Sequence, residues 1–257
     1  MFSSSRLILL VPFLLKVLPF SLLWAVNITA LASLLAAIVA TRLTSVNFLK
    51  LRWDRQIIPQ FLSFSGWMGI TKILFTILSR IDIQMVMWFL GPIQAGIYSV
   101  AARLASFYYV IALSFNSVLA PKLATGKSFA HQKNLISKAF LVIGGLIGLM
   151  FLGVLISPLL IKLLFGSKAL PAVSMFQGLT ISFMPYMISS LFVTLLVYLQ
   201  KKPHKVTIST SVQFIVYLIG NILLLPKFGV LGLIITTGLA NTITMLLNAY
   251  FVFSNTT

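Results

Sequence analysis

SRIDIQMVMWFLGPIQAGIYSVAARLASF, residues 79 to 107, decides how this chain folds. It joins two long apolar runs, 57–79 and 93–118, yet it carries Arg80, Asp82 and Arg103 among its apolar residues. Asp82 is one of only two acidic residues in 257. Charge placed where the neighbours call for lipid has to be explained by what it faces.

Composition sets the solvent. The chain is 60% hydrophobic and 8% charged, with a mean hydropathy of +1.08. Soluble domains carry about 25% charged residues, so a water-soluble fold is excluded. A bilayer crossing takes about 20 mainly apolar residues. Full-length candidates run over 22–41, 57–79, 93–118, 136–158, 172–199, 206–225 and 229–253. A shorter run at 7–20 is broken by Pro12, Lys16 and Pro19 and reads as the end of a spanning helix or the first arm of a hairpin. The expected fold is therefore an all-α integral membrane protein of about eight transmembrane helices.

The net charge of +17 is distributed by connector. Arg42, Lys50, Arg52 and Arg55 follow the 22–41 run. Lys122, Lys127, Lys133 and Lys138 follow 93–118, and Lys201, Lys202 and Lys205 follow 172–199. The alternate connectors hold Lys162, Lys168 and Lys227, leaving aside Arg80. Eleven cations against three puts both termini in the cytoplasm by the positive-inside rule. Placement of this kind signals topology and attraction to anionic membrane lipids, and nucleic acid is not expected as a partner. Cys is absent and His131 and His204 stand alone in basic connectors, so neither a disulfide nor a metal site is expected.

Helical phase then separates faces. With Lys72 at zero, Ser65, Thr76 and Ser79 fall within about 40°, while Ile70, Leu74, Ile77, Ile81 and Met85 lie opposite and are expected to face lipid. Arg80 and Asp82 lie about 80° to either side, so they do not pair locally. Around Arg103, the residues Gly96, Ser99, Ser106, Ser114 and Ser117 fall within about 60°. Arg103 is ten residues into its run, about 15 Å deep. A charge there costs about 2.5–3.5 kcal/mol, which calls for a water-filled cavity or a partner. Gln213, Tyr217 and Asn221 share one face further on, as do Thr237, Asn241, Thr244 and Asn248. Such Ser, Thr and Asn stripes also serve helix packing, and Lys72 can snorkel outward.

RIDIQMVMWFLGPIQAGIYSVAARL resembles the seventh and eighth helices of bacterial polysaccharide exporters, with Asp82, Gly91, Gly96, Tyr98, Ala101, Ala102, Arg103 and Leu104 at the matching positions. Pro121 also fits, and LLFGSKALPAV resembles the following loop. GNILLLPKFGVLGLIITTGLA resembles the penultimate connector through Asn221, Pro226, Gly229 and Gly232. The family is the O-antigen flippase branch of the multidrug/oligosaccharidyl-lipid/polysaccharide flippase superfamily. The resemblance implies a two-lobed bundle that moves a polyprenyl-diphosphate-linked oligosaccharide across the bacterial plasma (inner) membrane by alternating access. Residues 57–257 would be a complete six-helix C-terminal lobe and 1–41 the last two helices of the first lobe. Residues 42–56 would be a basic cytoplasmic linker between them. The chain would then be an N-terminally truncated or split transporter, its missing helices supplied by a separate chain.

On that reading Lys72, Arg103 and Arg80 bind the diphosphate and acidic sugars, since a guanidinium matches phosphate with a bidentate fork. Asp82 balances their charge or couples an ion, and Gln213, Asn221 and Asn241 meet sugar hydroxyls. No cofactor is implied. Competing readings are a multidrug exporter of the same superfamily and a non-transporting remnant. An enzyme is not expected, because acid–base chemistry on glycans uses paired carboxylates and Asp54 and Asp82 fall on opposite sides of the membrane in this topology.

Overall fold

A computed structural model describes residues 57–125 and 129–254, with scattered helical positions between 27 and 42. The expected 7–20 segment, the full course of 22–41 and nearly all of the 42–56 linker lie outside the described residues. Ile57–Thr257 forms one compact unit, separate from Met1–Gln56.

The described residues of that unit are helical apart from short turns. α1 spans Ile57–Ala124, α2 Phe129–Phe165, α3 Ala172–Thr194, α4 Pro203–Phe228 and α5 Val230–Phe253. A 3-10 turn, Ser167–Ala169, precedes α3, and a π-helical turn, Leu195–Leu199, extends it. All five helices are long and apolar enough to cross a membrane.

α1 is interrupted at Gly91, whose φ of 84° and ψ of 174° are open to glycine and strained for any side chain. Pro92 follows as the first residue of the next helical arm, where its fixed φ and missing N–H cost nothing. The break folds the chain back on itself. Residues sixteen apart on a straight helix stand about 24 Å apart, yet the Tyr98 hydroxyl donates to Asp82 Oδ2 at 2.9 Å. The rings of Phe75 and Tyr109 stack with centroids 4.9 Å apart. α1 is thus a hairpin of two arms, 57–90 and 92–124, each long enough for a crossing. Each of the six segments expected after residue 56 has its own helical arm.

The helices overrun the expected spans. α2 has 37 residues, about 55 Å of helix, against 136–158 expected, and the first arm of α1 runs on past residue 79 to Gly91. Apolarity marks where hydrocarbon begins, whereas a helix continues until the backbone is broken. Arg80, Asp82 and Gln84 end the apolar run without breaking the helix.

One face also needs correction. The first arm packs inward through Thr71, Phe75, Leu78, Asp82 and Val86, a face centred about 90° from Lys72. Leu74, Ile81 and Met85, expected to face lipid, are partly buried, and Met85 packs on the core. Dividing the helix into a wet face and an oily face missed this third one, because Asp82 sits at its centre.

Close packing rests on small residues, as expected where lipid is as apolar as the helices. The second arm of α1 buries Ala95, Tyr98, Ala101, Ala105, Tyr108 and Ala112. A Cβ on Gly153 of α2 would stand 2.5 Å from the Tyr108 hydroxyl, and one on Gly178 of α3 would stand 2.9 Å from Ile234 of α5. α4 passes to α5 through Gly229 alone, with φ 60° and ψ −148°. Beyond it Gly232 lies so close to the Leu224 carbonyl that no side chain fits. Two apolar clusters result, one around Tyr98, Phe176, Leu179 and Leu233, the other around Leu119, Ile143, Leu191 and Val206 at the lysine-rich end.

Candidate functional site

Two amide rungs tie α3, α4 and α5 together. Asn248, wholly buried, accepts from Ser209 Oγ at 2.7 Å and donates to Ser189 Oγ at 3.0 Å. Two turns away, Asn241 accepts from Gln213 Nε2 at 2.8 Å and donates to the Ser182 carbonyl at 2.8 Å. Ser182 Oγ in turn donates to the Ile234 carbonyl at 2.9 Å. The Thr237–Asn248 stripe is therefore an internal seam: Thr237, Asn241, Thr244 and Asn248 are all buried.

The second rung opens onto a partly open cavity of about 160 Å³ lined by both arms of α1 and by α3, α4 and α5. Its walls are aromatic: Phe75, Tyr98, Tyr109, Phe183, Tyr186 and Tyr217. Tyr186 lies 6.0 Å from Tyr109 and 6.3 Å from Phe75, and meets Phe183 edge-on at 6.2 Å. Polar groups converge from four directions through Ser79, Ser106, Gln213 and Asn241, with Thr237 beside them. An apolar, aromatic pocket with a few convergent polar groups is the usual form of a small-molecule site. Flat rings suit the C–H face of a sugar, and the amides and hydroxyls suit its rim.

The seven expected site residues divide among three places. Gln213 and Asn241 line the cavity. Asp82 stands just behind the wall, accepting from Tyr98 Oη at 2.9 Å and from the Ile83 backbone N–H at 2.8 Å. Asn221 is also behind the wall: it donates to the Tyr217 carbonyl at 2.9 Å, and its buried Oδ1 has no protein partner. Lys72, Arg80 and Arg103 are exposed and do not line the cavity.

The cations are nevertheless close in sequence to lining residues. Lys72 is one turn from Phe75, Arg80 adjoins Ser79, and Arg103 adjoins Ala102 and is one turn from Ser106. Arg103 points opposite the buried Ala101 and Ala105, so the alanine stripe that packs the second arm also turns the guanidinium outward. The hydroxyls on this outer face are occupied locally. Ser79, Ser106 and Ser117 donate to carbonyls three residues back, and Thr76 and Ser114 to carbonyls four back. Lys72, Arg80 and Arg103 are the exposed cations of α1 between residues 57 and 118.

Of the six aromatics, Tyr98 stood out in the family motif and Tyr217 in the Gln213 stripe, but Phe75, Tyr109, Phe183 and Tyr186 were not foreseen. Each sits in an apolar run, where a ring reads as core or lipid face. Only the crossing of helices brings Phe75, Tyr109 and Tyr186 together, and no spacing within one helix signals it.

A family model described as a polysaccharide biosynthesis protein matches residues 5–174, more than half of the chain. No curated protein and no solved structure matches the chain.

Proposed function

The chain belongs to the polysaccharide biosynthesis protein family, and from that premise we propose that it translocates a polyprenyl-diphosphate-linked oligosaccharide across the bacterial plasma membrane. Its long apolar helices suit a multi-pass membrane protein with a part in polysaccharide export. The exposed face of α1 forms one wall of a hydrated passage, both termini are cytoplasmic, and residues 57–257 act as one lobe. The rest of the passage comes from outside this lobe, from a separate chain where the transporter is split.

One observation carries this reading. Lys72 and Arg103, exposed on helical arms apolar enough to cross a membrane, lie close in sequence to lining residues of a cavity walled by aromatics and amides. Together they cost roughly 6 kcal/mol in lipid, and a cargo with a phosphate head and a sugar body accounts for both neighbouring features. The guanidinium takes the diphosphate, and Gln213 and Asn241 take hydroxyls. Asp82 limits the local positive charge. The cavity lining carries no carboxylate, which disfavours a cationic drug as cargo.

Arg103→Ala tests it. Surface glycan should fall to background while membrane-inserted protein stays at the wild-type level, and Arg103→Lys should retain part of the export. Normal export by abundant, inserted Arg103→Ala protein would overturn the reading.

A further inference from the structure

A second opening lies away from this cavity, between the second arm of α1 and α2. Those helices touch tightly at Tyr108 and Gly153. Toward the lysine-rich end a groove of about 170 Å³ lies between them. Leu119 and Ala139, both nearly fully buried, form its floor, and Val118 and Val142 stand exposed on its walls. Lys122 and Lys138, both exposed, flank it.

We propose that this groove binds a diacyl anionic phospholipid, one acyl chain in the groove and its phosphate between Lys122 and Lys138. Charge complementarity supplies the argument. Residues 57–257 contain a single carboxylate side chain, Asp82. It is engaged by Tyr98 and the Ile83 N–H, near the Gly91 turn. Neither groove lysine therefore has a carboxylate within the lobe to pair with, and its counter-charge comes from outside.

Depth identifies that counter-charge. Lys122 lies four residues beyond the apolar run 93–118, and Lys138 is the third residue of the run 136–158. They straddle the boundary of the hydrocarbon, where lipid phosphates sit. Basic pockets between membrane helices at that level hold anionic headgroups, each cation contributing about as much as a surface Lys does near an anionic leaflet. A soluble anion would find the same two cations but would leave the apolar floor unused. The phospholipid uses both.

The site does not depend on the export reading, and its test is separate. The purified full chain in neutral detergent is titrated with phosphatidylglycerol, with phosphatidylcholine of the same acyl chains, and with glycerol 3-phosphate. Native mass spectrometry reads the bound fraction. Phosphatidylglycerol should bind on the order of tenfold more tightly than phosphatidylcholine, and glycerol 3-phosphate should not displace it at equal concentration. Lys122→Gln combined with Lys138→Gln should abolish the preference. Lys168→Gln combined with Lys227→Gln, at the other end of the lobe, should keep it. Equal binding of the two lipids by wild-type protein overturns the proposal without any variant having to fold. Displacement by glycerol 3-phosphate overturns it in favour of a soluble-anion site, and a preference that survives the groove double variant overturns it outright.

Discussion

On α5, Asn241 and Asn248 are buried and each joins two other helices through its amide. On α1, Ser106 and Ser114 are exposed and return their hydroxyls to their own helix, leaving Lys72 and Arg103 outward. Burial follows the same division. The most apolar stretch of α3 is 61% buried, against 11% for α1 and 17% for α2. Polar residues within one lobe thus serve two purposes. In α3–α5 the amides of Gln213, Asn241 and Asn248 are bonded between helices and fix the bundle, while hydroxyls such as Thr180, Thr194 and Thr244 return to their own helices. On the exposed face of α1 the hydroxyls are self-satisfied and the face stays open to whatever approaches it, whereas on its inward side Thr71 and Asp82 are bonded across to Thr207 and Tyr98.

Substitutions can break or sharpen that contrast. The largest effect is expected where backbone meets backbone: Gly232→Ala drives a Cβ into the Leu224 carbonyl, and overpacking of this kind should cost about 3 kcal/mol. Gly145→Ala on α2, where nothing lies within 4 Å, should instead be neutral or stabilising by about 0.5–1 kcal/mol. Thermal melts of the two purified variants make the comparison. A Gly145→Ala protein as damaged as Gly232→Ala would mean that α2 is not open on that face.

Asn248→Ala comes next. It removes two interhelical bonds at a fully buried site, and membrane-buried bonds average about 0.6 kcal/mol each. A loss of about 1–2 kcal/mol in denaturant titrations is expected. Gln213→Leu gives up a single bond to Asn241, so stability should drop by only about 0.6 kcal/mol. Glycan export should fall about fivefold, the equivalent of one lost hydrogen bond to the cargo. Unchanged export would remove Gln213 from the site. Ser114→Ala should be smallest, within about 0.5 kcal/mol, because its hydroxyl serves only the Val110 carbonyl. Were it to match Asn248→Ala, the two polar populations would not differ after all.

The same contrast marks what could be read from residues alone. Apolar runs located every helical arm after residue 56, since hydrocarbon admits little else. Helix ends were misplaced at Arg80 and at both ends of α2, where polarity changes but backbone geometry does not. Gln213 and Asn241 stood out in the sequence because an amide inside an apolar run is conspicuous, and both line the cavity within this unit. Asn221 was equally visible, yet one further turn of α4 carries it behind Tyr217. Phe75, Tyr109 and Tyr186 carried no signal at all, because their meeting depends on a fold at Gly91 and on the angle at which α3 crosses. A linear text reports chemistry along a helix and is silent about convergence between helices.

The single-residue reversals at Gly91 and Gly229 bear on how the protein can be mapped. Fusion reporters and epitope insertions assign sidedness only where the chain has slack to loop around the added sequence. Between 90 and 92, and between 228 and 230, it has none. A reporter placed there pries apart the Asp82–Tyr98 contact or the Gly232–Leu224 contact, and so reads out a ruptured hairpin. Informative insertions belong at the lysine-rich end.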